Sequence, residues 1–158
     1  MKIQYTPIGV VHSPFKEREG TPIQPSRSDG ARGTVEVFPE FAEGLSDLDG
    51  FSHIYLLCHL HRSTQWRPKV VPFLDTEARG LFATRAPCRP NPIGLSVVKL
   101  LSINDNVLSI EDLDLLDGTP VLDIKPYILE FDDRSNVRTG WLGTARARRN
   151  RADDRFNS

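Results

Sequence analysis

Apolar residues along this chain come in short runs that alternate with polar ones and are broken repeatedly by Gly, Pro, Asn and Asp, the pattern of short strands joined by turns. The clearest run is His53 to His61. Its even positions are Ile54, Leu56, Cys58 and Leu60, and its odd positions are His53, Tyr55, Leu57, His59 and His61. Alternation predicts a strand with one face in the core and a second, polarisable face available to line a ligand site. Ile8 to His12 and Gly33 to Phe38 also read as strands, with a weaker edge strand over Lys69 to Val71. Leu95 to Ile103 and Val107 to Leu113 form a hairpin with a three- or four-residue loop around Asn104-Asp105-Asn106. Val121 to Ile124 follows the Asp117-Gly118 turn, and Val137 to Leu142 is the last ordered piece. Pro39 to Leu45 fits one short helix, with Pro39 at its start and Gly44 near its end. Seven or eight short strands with little helix predict a mainly β domain closed, or nearly closed, into a barrel, which removes exposed edges.

The segment from Lys16 to Arg32 has no apolar period and reads as a long loop. Loops of that length in compact domains are functional or disordered, so Pro22, Ile23 and Gln24 join the site candidates. The 158 residues suffice for one domain with its own core. Residues 1–143 are read as that domain and 144–158 as a tail. Cys58 and Cys88 form no C-x-x-C pair, and no leader or membrane-spanning run is visible, which fits a reducing cytoplasm.

The net charge of −1 conceals a lopsided distribution. Six acids and no Lys or Arg lie between Leu100 and Ile124, whereas Arg146, Arg148, Arg149 and Arg151 crowd the tail. A nucleic-acid partner therefore needs a local basic surface, since the chain as a whole supplies none.

Chemistry concentrates between Gly80 and Leu101. Pro87, Pro90 and Pro92 fix φ and push Ala86, Arg89 and Asn91 out of the α region, so a stiff loop is expected between apolar runs at Leu81 to Ala83 and Leu95 to Leu101, both read as strands. A stiff loop bearing Arg85, Arg89 and Asn91 loses little entropy on holding a carboxylate, a phosphate or a base edge. The same arginines also suit bracing the loop against an acidic neighbour.

Phe82-Ala83-Thr84-Arg85 followed by Arg89-Pro90-Asn91-Pro92-Ile93-Gly94-Leu95-Ser96 resembles the signature of the TsaA-like (TrmO) family. So do Ile8 to Phe15 and Asp114 to Tyr127. The resemblance implies a β-barrel methyltransferase, usually a homodimer, that uses S-adenosylmethionine to methylate threonylcarbamoyl-adenosine in tRNA. By resemblance, cofactor contacts map to Pro22, Ile23 and Gln24, to His61 and Arg62, to Arg85 and Leu95, and to Asp117, Gly118, Thr119 and Pro120. Ile23 stands where the family more often has Arg or Lys. Longer members continue into a C-terminal domain that helps hold tRNA.

No G-x-G-x-x-G or P-loop is present, so an adenosyl cofactor is not held in the Rossmann manner. Such a cofactor needs carboxylates for its cationic parts and cations for its carboxylate; Asp114, Asp117 and Asp123 supply the first, Arg85 and Arg89 the second. Asp123, Lys125 and Tyr127 share one side of a strand and are candidates beside the acceptor, with Asp123, Tyr127 or His61 taking a proton. Their bland alternative is a surface ion pair. His59 and His61 invite a metal, but no third ligand accompanies them, and a metal-free site is expected. Two other classes compete with the methyltransferase: a non-catalytic barrel that binds RNA or a nucleotide, and a hydrolase with a metal on the two histidines.

Overall fold

In a computed structural model, residues 1–23 and 29–144 are described. The strands are β1 (Gly9–His12), β2 (Arg32–Val37), β3 (His53–His59), β4 (Lys69–Val70), β5 (Arg79–Gly80), β6 (Ile93–Asn104), β7 (Val107–Glu111) and β8 (Pro120–Pro126). Six of them close an antiparallel barrel in the order β1-β2-β7-β6-β3-β8, and β4 pairs with β5 outside it. The expected mainly β barrel is therefore the fold.

The barrel closes because the alternation predicted from sequence points one set of side chains inward. Val11, Val35, Ile54, Leu56, Cys58, Val98, Leu108, Ile110, Leu113 and Val121 are all fully buried. Two irregularities adjust that alternation. The β6–β7 register shifts between Leu100 and Ser102, so that both Leu100 and Ile103 pack on the core. The β3–β8 register shifts between Leu57 and Cys58, so that Val121 and Ile124 both reach it while Asp123 is left outside.

Several boundaries differ from expectation. β3 stops at His59, because Leu60 N–H turns to donate to Pro92 O at 2.7 Å. The β6–β7 loop is only Asp105-Asn106, which Asp105 permits by taking φ 53°. Leu81 to Ala83 is a 3₁₀ turn and not a strand. Thr84 closes it by donating to Leu81 O from both N–H (3.0 Å) and Oγ1 (2.7 Å). Val137 to Leu142 is no strand either: a single helical turn, α1 (Leu129–Asp132), precedes a 3₁₀ turn over Gly140–Thr144.

The excursion between β3 and β6 has a small core of its own, Val70, Leu81, Ala86 and Cys88 with Phe73 packed against them. It stands beside the barrel mouth as a separate wall. Among the described residues no helix is long and apolar enough to cross a membrane. Gln24 and the Arg-rich tail lie outside the described residues.

Candidate functional site

A cleft of about 890 Å³ opens where that wall meets the barrel mouth. It takes residues from the early loop, the turn after β3, the segment between β4 and β5, the proline-pinned loop running into β6, the segment before β8 and the last described turn. The size suits a nucleoside-bearing ligand.

Hydrogen bonds explain why the stretches converge. Asp117 Oδ1 accepts from Ser13 N–H at 2.9 Å, Asp117 Oδ2 pairs with Lys16 Nζ at 2.8 Å, and Asp117 N–H donates to Phe15 O at 2.8 Å. The root of the early loop is thus tied to the turn before β8. Arg62 Nη1 then meets Glu17 Oε2 at 3.1 Å, and buried Thr21 donates from Oγ1 to Glu17 O at 2.6 Å. On the far side Ser63 Oγ donates to Pro87 O at 2.7 Å and Arg67 N–H to Cys88 O at 3.1 Å, fastening the proline loop to the turn after β3. Trp141 Nε1 donates to Ala83 O at 2.7 Å, so the chain's last described turn closes the rim.

Pro22, Ile23, His61, Arg62, Arg85, Arg89, Leu95 and Thr119 from the sequence reading line this one cleft. Arg89 Nη1 donates to the carbonyls of Leu81, Thr84 and Ala86 at 3.4, 2.9 and 3.2 Å respectively. It braces the loop, though against carbonyls and not an acid. Asp117 does not line the cleft; the Lys16 ammonium and the Ser13 N–H hold its carboxyl below the usual range. Gly118 and Pro120 are backbone partners of β1, Gly118 N–H donating to Val11 O at 2.8 Å at a φ of 79° and Pro120 pairing with Val10. Asn91 is exposed and its carbonyl accepts from Ile93 N–H at 2.7 Å.

Asp123, Lys125 and Tyr127 stand apart from the cleft. Asp123 and Lys125 pair with each other at 3.0 Å on the outside of the barrel, and Tyr127 packs against Tyr55 with centroids 5.6 Å apart and ring planes tilted by 47°. Tyr127 N–H bonds to His53 O, at the opposite end of β3 from His61. At about 3.3 Å per strand residue, that separates it from the cleft by the length of the strand. The expected ligand-lining face of β3 is likewise an outer barrel face, and only His61, beyond the strand end, reaches the cleft. Burial, helped by Arg62, His59 and Arg18, pushes the His61 imidazole down, which favours its neutral form. No group of three or more metal-ligating side chains occurs among the described residues.

One carboxylate of the cleft counts for more than its place in the sequence suggested. Asp114 Oδ1 accepts from Ser96 Oγ at 2.7 Å, and burial pushes its carboxyl up to about 7 against the favourable pull of Ser96 and Arg85. Its nearness also helps burial push the core thiol of Cys58 up to about 12. An acid this costly to ionise alone becomes a good host for a cation. Phe82, Trp141 and Arg18 also line the cleft and were not singled out from sequence. Phe82, three residues before Arg85 in the quoted signature, was open to discovery as an aromatic beside a predicted site; Trp141 and Arg18 reach the cleft from distant stretches with no local signal.

The family model for the tRNA-methyltransferase O N-terminal domain matches residues 10–133. A "Probable S-adenosyl-L-methionine-binding protein" of Pyrococcus abyssi is 54% identical over 160 residues, covering 100% of this chain and 87% of that protein. The tRNA (adenine(37)-N6)-methyltransferase of Escherichia coli is 42% identical over 135 residues, 79% of this chain and 57% of that protein. The crystal structure of TrmO from Pseudomonas aeruginosa superposes with a TM-score of 0.75 at 41% identity, covering 89% of this chain and 62% of that one. The chain thus spans about three fifths of the bacterial enzymes it matches.

Proposed function

Because the chain belongs to the tRNA-methyltransferase O N-terminal-domain family, we propose that its cleft binds S-adenosylmethionine and that the protein methylates N6 of an adenosine in tRNA, specifically threonylcarbamoyl-adenosine at position 37. The observation that carries this reading is the meeting of the arginine loop and Asp114 across one cleft.

The residues fit the cofactor. Asp114 offers a carboxylate to a sulfonium or ammonium, Arg18, Arg62 and Arg85 offer cations to a carboxylate, and Leu95, Leu115 and Leu116 offer apolar surface to an adenine. When bound, the cofactor supplies an electrophilic methyl group. The chain's own contribution is alignment: a stiff loop and a tethered early loop hold donor and acceptor in line, which accounts for much of the acceleration of a displacement. In this reading His61, whose neutral form burial favours, accepts a proton from the urea-like acceptor nitrogen.

A second copy of the chain completes this reading. The outer faces of β3 and β6 set Leu57 beside Leu95, Tyr55 beside Val97 and His59 beside Ile93, with Ile93 and Leu95 41% and 49% exposed. Ile93 and Leu95 border the cleft as well. In this reading a two-fold contact through this face buries the apolar patch.

The test combines methyl-labelled S-adenosylmethionine with tRNA from cells that lack this modification. Label is expected at N6 of the threonylcarbamoyl-adenosine, and no label in tRNA counts against the activity. A non-catalytic RNA-binding barrel predicts RNA binding indifferent to cofactor.

A further inference from the structure

Phe82 is 78% exposed, yet it is firmly held. It sits in the middle of the 3₁₀ turn Leu81–Ala83, between buried Leu81 and the Thr84 bonds that close the turn. The Arg89 guanidinium carbon lies 5.6 Å from the centroid of its ring, and that guanidinium is itself fastened to nearby loop carbonyls. The result is an aromatic ring backed by a fixed cation and largely uncovered by protein.

Its surroundings favour one kind of visitor. Phe82 borders the cleft, which it shares, among the described residues, with Arg18, Arg62, Arg85 and Arg89 against a single acid, Asp114. In a chain of net charge −1, cations have gathered on this rim. The rim also includes Leu142, shortly before Arg146, Arg148, Arg149 and Arg151 in the sequence. Aromatic faces within a cationic groove are what single-stranded nucleic acid recognises: bases stack, phosphates pair. An adenosine entering the cleft must leave its stacked neighbours, and a ring at the mouth restores part of that stacking.

We propose that Phe82 is a stacking platform for an unpaired base of the RNA strand, next to the nucleotide that enters the cleft. The inference rests on the tRNA reading above and adds where the strand is gripped.

The test titrates a labelled anticodon stem-loop RNA and a fully paired hairpin of equal length into the unaltered protein, F82A, F82W and F82L. F82A is expected to bind the stem-loop about tenfold more weakly, within the range for removal of one base stack, with no change for the paired hairpin. F82W restores binding and F82L does not. The salt dependence of F82A stays parallel to that of the unaltered protein, because no charge is removed. Stem-loop binding by F82A equal to the unaltered protein overturns the proposal, as does rescue by F82L. A sedimentation shift of F82A toward monomer also overturns it, since the ring then belongs to a subunit contact. Methyl transfer by the unaltered protein is measured alongside: if tRNA is labelled while F82A binds normally, only the platform is refuted, whereas absence of transfer removes the enzymatic reading itself.

Discussion

Replacing Asp114 by Asn tests whether this carboxylate is kept for a ligand at the expense of the fold. Burial raises its pKa from the ordinary 3.8 to about 7. At 1.36 kcal/mol per pH unit, ionising it in the folded protein costs about 4 kcal/mol as an upper bound. Between those two values the folded protein holds a proton that the unfolded chain has already released, so stability falls as pH rises across the window and levels off above about 7. Asn keeps the shape and an acceptor for Ser96 Oγ but never ionises. Since its amide is still partly desolvated, a net gain of roughly 1–3 kcal/mol at pH 8 is expected, with little difference at pH 4. Urea unfolding of both proteins from pH 4 to 8 measures this, and the difference between them cancels every other titrating group. Calorimetry at pH 8 should show S-adenosylmethionine binding weakened about tenfold or more, because a charge-assisted interaction is removed. Parallel stability profiles would refute the energetic argument; undiminished binding by the Asn variant would refute the functional one.

Asp117→Ala should destabilise the protein by roughly 1–3 kcal/mol, because Ser13 N–H loses its acceptor. The stability that Asp117 contributes, with its pKa held down by Lys16 and Ser13, should fade as pH drops through the folded value, which urea unfolding between pH 6 and 2 would follow. Gly33→Ala would place a Cβ 2.5 Å from both His12 O and Leu113 Cδ2; a destabilisation of about 1–3 kcal/mol is expected, read as a lowered denaturation midpoint. Val97→Glu, on the outer face beside Tyr55, should shift sedimentation toward monomer and leave the fold's circular dichroism intact. Truncation after Gly143 removes Arg146, Arg148, Arg149 and Arg151, and should weaken tRNA binding and flatten its salt dependence by about 0.7–0.9 for each phosphate no longer neutralised.

The barrel was legible because its signals are local. Ile54, Leu56 and Cys58 alternate with mostly polar neighbours, and they are buried as that alternation requires. The cleft was half legible: prolines announced a stiff loop, and hydrogen bonds fasten that loop at several points. What each side chain does there was not, because hydrogen bonds between distant stretches decide it. Nothing near Asp117 in sequence reveals Ser13 and Lys16 as its partners, and nothing near Asp114 reveals Ser96. Strand bulges were invisible for the same reason. Counting by twos from Val121 puts Asp123 inward, and only the register against β3 turns it out. Leu81 to Ala83 misled because a three-residue apolar run fits a strand or a 3₁₀ turn equally well, and Thr84 settles the matter.

The small apolar nucleus formed by Val70, Leu81, Ala86 and Cys88 shares no member with the barrel interior. Its opening therefore need not disturb the strands behind it, and amide exchange should report two tiers, with the excursion from Val70 to Cys88 yielding before β3 and β6. Such independence lets one side of the ligand chamber be re-lined, by substitution or by a change in loop length, while the cylinder that anchors the opposite side keeps its own cohesion.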